Sequence, residues 1–251
     1  MSDLPEQGYL GKTLKSVMDS AGCPSALSFS GGIDSSLLLY LSPPCCTGYT
    51  AGINGSRDIE ASRRFSKAYG REVREILLKN EDIVEAFNTL RKIDPEIALE
   101  DAGYETVLVA VLENIDEEKL ITGQGADEIF YGYSKFVDGR ETSNGKSMEK
   151  LFSTTIPRER KIAMHFGKTL ITPYLDERIV KEFSTIERNR HISERGERKH
   201  ILRAEAEWLG IDRLFAQAPK LASQYGSGVI KEIRKAIRDG IIENGKNPGS
   251  V

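Results

Sequence analysis

No run of about 18 apolar residues occurs in the chain, so no membrane-spanning helix is expected. The N-terminus, MSDLPEQGYLGKTLKSV, has no basic start followed by an apolar stretch, and a secretory leader is not expected either. Cysteine is scarce: only Cys23, Cys45 and Cys46 are present, an odd count with two adjacent and no C-x-x-C pair. Neither a disulfide framework nor a zinc site is expected from that spacing, and the thiols read as reduced, as in a cytoplasmic protein. The three histidines, His165, His191 and His200, stand at no metal-ligand spacing. An excess of positive charge is missing as well. Lys and Arg number 35 against 38 Asp and Glu, a net charge of −3, which disfavours a dedicated nucleic-acid binder. Internal repeats and low-complexity segments are absent.

What remains is 251 residues of ordinary globular composition, enough for one large domain. The first half alternates short apolar runs with helical spacing. Strands are expected at 25–30, 46–53, 72–78 and 119–123, with helices after residue 33 and over 57–69, 81–92 and 100–115. Strands separated by helices of this length imply crossover connections and a parallel sheet. From residue 126 onward the pattern predicts helices over 149–165, 175–186, 196–209 and 228–239, a polar mobile loop over 138–147, and no further strand. The expected fold class is α/β: a single domain with a parallel β-sheet flanked by helices over about 1–130 and a mainly helical part over about 131–251.

Two stretches carry chemistry. Ser30-Gly31-Gly32-Ile33-Asp34-Ser35-Ser36 follows a strand and opens a helix. The glycines let backbone approach a ligand, and the helix start points free amides at the same space. Serine hydroxyls add donors, so phosphate or pyrophosphate fits. Asp34 repels phosphate unless a cation lies between, which points to Mg²⁺ held by Asp34 against phosphate oxygens. Neither G-x-x-x-x-G-K-[ST] nor G-x-G-x-x-G is present at this turn. The second stretch, Thr122-Gly123-Gln124-Gly125-Ala126-Asp127-Glu128, is another glycine turn with a carboxylate pair at a helix start. In an open parallel sheet both turns face the carboxyl edge, so Asp34 and Asp127 could share one Mg²⁺–pyrophosphate group.

The first stretch resembles the SGGxDS loop of the PP-loop ATP pyrophosphatases, which cleave ATP between the α and β phosphates. GQGADEIFYGY resembles the SGEGSDELFGGY segment of the synthetase domain of asparagine synthetases and of the related β-lactam synthetases. Thr172-Pro173-Tyr174-Leu175-Asp176, Lys199-His200-Ile201-Leu202-Arg203, and Lys220 followed by Gly226-Ser227-Gly228 resemble further segments of that family in the same order. The resemblance implies an ATP-dependent, AMP-forming ligase. It would adenylate a small carboxylic acid and then form an amide with ammonia or an amine. It also implies that Ser30, Gly31, Gly32, Asp34 and Ser35 hold the pyrophosphate of ATP. Asp34 and Asp127 would bind Mg²⁺, Leu27 and Gly123 would contact adenosine through backbone, and Lys220 would offset charge at the reacting phosphate.

Three departures from the family pattern bear on function. Ser2 follows Met1 where the glutaminase domain of the family begins with a catalytic cysteine, so ammonia from glutamine would need a separate glutaminase subunit. Gln124 stands where the family has a glutamate thought to act as a base, and an amide takes no proton. Leu170-Ile171-Thr172 replaces a charged run, so no arginine clamp for an acidic substrate is visible. The basic residues Arg188, Arg190, Arg195, Arg198, Lys199 and Arg203 read as a solvated helix face with pairs such as Glu194–Arg198. His191 and His200 read as surface or packing residues and Trp208 as helix core. Two alternatives stand beside the ligase: a tRNA-modifying PP-loop enzyme with Cys45 and Cys46 carrying a persulfide and the basic residues holding RNA, and a non-catalytic ATP-binding homologue.

Overall fold

The structure is a computed structural model that describes residues 4–218 and 223–242. The chain opens with α1 (Tyr9–Ala21), β1 (Ser25–Ser28), α2 (Ile33–Leu41), β2 (Cys46–Gly52), α3 (Arg57–Tyr69) and β3 (Val73–Leu77). Two helices, α4 (Asn80–Ile93) and α5 (Leu99–Leu112), then carry the chain across to β4 (Lys119–Ile121). After the short α6 (Ala126–Ile129) come α7 (Gly145–Lys150), a π-helical turn over Leu151–Thr155, α8 (Ile156–His165) and β5 (Thr169–Ile171). The remainder is helical: α9 (Glu177–Phe183), α10 (Arg188–His191), α11 (His200–Trp208), α12 (Arg213–Ala216), α13 (Ser223–Gly226) and α14 (Val229–Arg238). The expected strands and the longer helices appear within a few residues of their predicted places. The helix α1 and the strand β5 went unread. No helix among the described residues is long and apolar enough to cross a membrane.

All strand pairs are parallel, in the order β3-β2-β1-β4-β5. From β1 the chain steps outward through β2 and β3, then returns to place β4 on the other side of β1. The reversal opens a crevice beyond the carboxyl ends of β1 and β4. Alternation along each strand splits the core into two layers. Leu27 and Ile121 face one layer, with Leu14, Leu37 and Leu202 from α1, α2 and α11. Ala26 and Leu120 face the other, with Phe87, Val109 and Ile233 from α4, α5 and α14. The sheet is therefore covered on both faces, as parallel sheets require.

Four expectations are corrected. The sheet does not stop in the first half: Thr169–Ile171 pairs with β4, a strand too short to stand out as a pattern. Residues 138–147 are not one continuous loop, because α7 starts at Gly145. Trp208 is 51 % exposed and lies over Gly8 rather than in the core. Cys23 and Cys45 form a disulfide, leaving Cys46 as a buried thiol that burial pushes up in pKa. Register explains the bond. Ser25 pairs with Cys46 in adjacent parallel strands, so Cys23, two positions before the first, and Cys45, directly before the second, meet at a Cα–Cα distance of 5.8 Å, within bridging range.

Candidate active site

The loop after β1 turns on Gly31, whose φ of 71° is left-handed and whose added Cβ would stand 2.4 Å from Ala61 Cβ of α3. Only glycine lets the loop lie on α3 in that conformation. Gly32 then caps α2 without any side-chain hydrogen bond, so the first amides of that helix have no side-chain cap. The serines close the loop loosely on itself. Ser30 N–H donates to Ser35 Oγ at 3.2 Å, and Ser35 Oγ donates to Gly32 O at 3.2 Å. Bonds of that length are weak and readily exchanged for a ligand oxygen.

The loop opens on a cavity of about 680 Å³. Ser30, Gly32, Asp34, Ser35, Gly123, Gln124 and Asp127 line it, so the two glycine turns meet. Gly31 lines a second cavity of about 480 Å³, which shares Ser30, Gly32, Asp58 and Ala218 with the first. Leu27 lies fully buried in β1 and lines neither cavity. Lys220 lies outside the described residues. Ala218, two positions before it, lines both cavities, and Arg203 of α11 donates from Nη1 to the carbonyls of Ala216 (2.5 Å) and Ala218 (3.2 Å).

Asp34 and Asp127 converge on one cation, the Nζ of Lys199. It stands 2.5 Å from Asp34 Oδ1 and 2.8 Å from Asp127 Oδ1, and the lysine is fully buried. Lys199 has a left-handed φ of 59° directly before α11. Its stem reaches the carboxylates past Gly132, where an added Cβ would fall 1.8 Å from Asp127 Oδ1 and 2.3 Å from Lys199 Cε. The pair fits Mg²⁺, for an ammonium already stands in as a cation between two hard oxygen ligands. Among the described residues no group of three or more acidic, His or Cys side chains could hold a metal, so two carboxylates plus phosphate oxygens and water is the available donor set.

Arg190 and Arg195 are exposed as their spacing suggests, but Arg188, Arg198, Lys199 and Arg203 turn inward. Arg188 donates to Phe136 O, Arg198 to Gly132 O at 2.9 Å, and Arg203 to Arg198 O at 2.9 Å. The bonds of Arg198 and Arg203 brace the backbone beside Lys199. His200 is exposed, whereas His191 is buried, stacks on Tyr131 and is pushed down to about 4 by burial.

Gln124 donates from Nε2 to Oε1 of Glu159, which lies on α8 just after the π-helical turn. Glu159 lines the cavity, is 4 % exposed, and its Oε2 has no hydrogen-bond partner. Burial pushes it up to about 8, with the charge of Glu128 adding to the shift and the Gln124 bond opposing it. Glu128 also lines the cavity and is pushed up by burial and by Asp127, while accepting from Tyr133 Oη at 2.5 Å. Behind them Glu105 is fully buried and pushed well up by burial and by Glu159. Asp58, shared by the two cavities, is pushed up to about 7 by burial. Lys199 stands in a segment whose charge reads as solvent-facing, and Glu159 stands in no motif.

The sequence profile described as asparagine synthase matches residues 9–149. A protein of Methanocaldococcus jannaschii that carries the name of a glutamine-hydrolyzing asparagine synthetase is 28 % identical over 253 residues, covering 83 % of this chain and 47 % of that protein. The asparagine synthetases of Mus musculus and Homo sapiens are each 24 % identical over 193 residues, 69 % of this chain and 34 % of theirs. The chain thus spans about half the length of the first relative and a third of the others. Among solved structures, an NMN synthetase from Francisella tularensis superposes with a TM-score of 0.36 at 12 % identity, over 99 % of this chain and 100 % of that one. An NH3-dependent NAD synthetase from Campylobacter jejuni gives 0.35 at 16 %, over 98 % and 96 %.

Proposed function

Because the chain belongs to the asparagine synthase family, whose profile covers more than half of it, we propose that it is an ATP-dependent, AMP-forming ligase that joins a carboxylic acid to ammonia or an amine. One observation carries the reading. Two carboxylates from separate strand ends meet on one cation beside a loop of glycines, hydroxyls and uncapped helix amides. That is what a metal-bound triphosphate needs.

In this reading the loop from Ser30 to Ser35 receives the phosphates that leave as pyrophosphate. A substrate carboxylate attacks the α-phosphorus, the bond to the bridging oxygen breaks, and an acyl-adenylate remains. Mg²⁺ held by Asp34 and Asp127 would offset the charge of the phosphates. Lys220 is proposed for the charge that builds on the α-phosphoryl oxygens. The amine then attacks the acyl carbon, AMP leaves with the carbon–oxygen bond, and the nitrogen gives up a proton. Gln124 cannot take it. Glu159, hydrogen-bonded to Gln124 with one oxygen unpartnered, is the base we assign, since a carboxyl pushed up to about 8 is matched to proton transfer near neutral pH.

The nitrogen source is ammonia or an amine, with a separate glutaminase subunit as a candidate partner. The tRNA-thiolating alternative gains no support, for Cys45 is disulfide-bonded and Cys46 is buried. A screen of carboxylic acids for exchange of labelled pyrophosphate into ATP tests the reading. Exchange with at least one acid is expected, and release of ADP and phosphate instead would overturn it. Glu159→Gln should lower amide formation by ~100-fold or more, and pyrophosphate exchange far less.

A further inference from the structure

The carboxylate pair that would hold the metal already holds a cation, and that cation belongs to the protein. Lys199 Nζ contacts both Asp34 Oδ1 and Asp127 Oδ1, and none of the lysine is exposed. Asp34 and Asp127 line the cavity whereas Lys199 does not, so the ammonium reaches the pair from the buried side. Its backbone is pinned on both flanks. Arg198 donates to Gly132 O, Arg203 Nε to Arg198 O, and Arg203 N–H to Lys199 O at 2.9 Å. Gly132 keeps the path of the lysine stem open. A contact so braced is part of the fold.

Two carboxylates carried by the first turns of different helices repel each other unless a cation lies between them. Any divalent ion ligated by the same oxygens would stand beside the ammonium, and like charges at contact distance oppose one another strongly in a poorly solvated site. Phosphate oxygens relieve that repulsion by adding negative charge. We propose that Lys199 is the resident counter-ion of this site: it competes with the divalent metal for Asp34 and Asp127, so metal alone binds weakly and is accepted together with the phosphates of the nucleotide. The inference rests on reading Asp34 and Asp127 as the metal pair. Lys199 is in this sense a positioning residue. It keeps the pair assembled before the nucleotide arrives and ties metal affinity to nucleotide binding.

The test is Mn²⁺ binding to the full chain without nucleotide, followed by the electron paramagnetic resonance of free Mn²⁺, for the natural protein, Lys199→Met and Lys199→Gln. Weak binding is expected for the natural protein, and affinity higher by about tenfold or more is expected for both variants. Melting temperatures in EDTA should fall in the variants and be recovered by Mn²⁺, while the natural protein barely responds to Mn²⁺. Tight Mn²⁺ binding by the natural protein, or variants that bind no better than it does, would overturn the proposal. Should the variants be unfolded in EDTA, refolding on Mn²⁺ supports it. Failure to fold at saturating Mn²⁺ overturns it, because Lys199 would then supply something a cation cannot. None of these readouts needs turnover. A protein inactive in pyrophosphate exchange with the expected Mn²⁺ pattern would cost the ligase reading and leave this one standing.

Discussion

Asp34 and Asp127 meet the ammonium of Lys199 at 2.5 and 2.8 Å, whereas Glu105 and Glu159, near them in the same part of the protein, have no such cation. Arg158 is the cation at hand for the second pair, but its short contacts go to Asp94 (2.8 Å) and Asp101 (3.0 Å), and Glu105 is left at 3.7 Å. Burial then decides, and both glutamates are pushed toward keeping their protons. Four carboxylates of similar intrinsic acidity are thus sorted by the supply of buried positive charge. One pair is matched by a buried ammonium and suits a metal. The other is pushed toward its neutral form by burial, and of its two members Glu159 lines the cavity.

The largest effect should come from taking the cation away from the first pair. Lys199→Met leaves two carboxylates facing each other in a mostly buried setting, and breaking such a pair costs about 3–5 kcal/mol. Urea denaturation in EDTA would measure it. A loss under about 1 kcal/mol would mean that the two pairs are not held differently after all. Gly132→Ala attacks the same contact by volume, since its Cβ would meet both Asp127 and Lys199. Overpacking there should cost about 1–3 kcal/mol.

These two residues also show where sequence reading stops. The loop at Ser30–Ser35 and the turn at Gly123–Asp127 were legible because their chemistry is local: glycines, hydroxyls and a carboxylate within a few positions of a strand end. Their meeting on one edge followed from the parallel sheet, which the alternation of strands and helices implied. Lys199 sits in a run of arginines whose charge predicts solvent, and only the left-handed turn before α11 and the gap at Gly132 bury it. Glu159 was hidden because a π-helical turn over Leu151–Thr155 precedes its helix, and no side-chain spacing announces that turn. The Cys23–Cys45 bond depends on strand register, which no spacing of cysteines reveals.

The second pair should show itself through pH. Glu159 is pushed up to about 8 from its ordinary 4.5, so between those values the unfolded chain releases a proton that the folded chain keeps. The folded state then binds more protons, and stability falls as pH rises through the window, by up to ~1.4 kcal/mol per pH unit for each proton retained. Glu159→Gln removes its share of the slope, and what remains belongs to Glu105 and the other groups. Denaturation midpoints from pH 5 to 8 would test this, and an unchanged slope in the variant would deny Glu159 its raised affinity for protons.

The smallest effect is expected at Lys150, and it separates distance from burial. Its Nζ lies 2.9 Å from Asp101 Oδ1, nearly the separation of Lys199 from Asp127. The lysine side chain, however, is 58 % exposed, where that of Lys199 is fully buried. Water and ions screen such a contact, and Arg158 still holds the other oxygen of Asp101 at 3.0 Å when Lys150 is gone. Lys150→Met should therefore change stability by about 0–1 kcal/mol. A loss comparable to that of Lys199→Met would mean that the distance between the charges, and not their removal from water, sets the strength of ion pairs around this cavity.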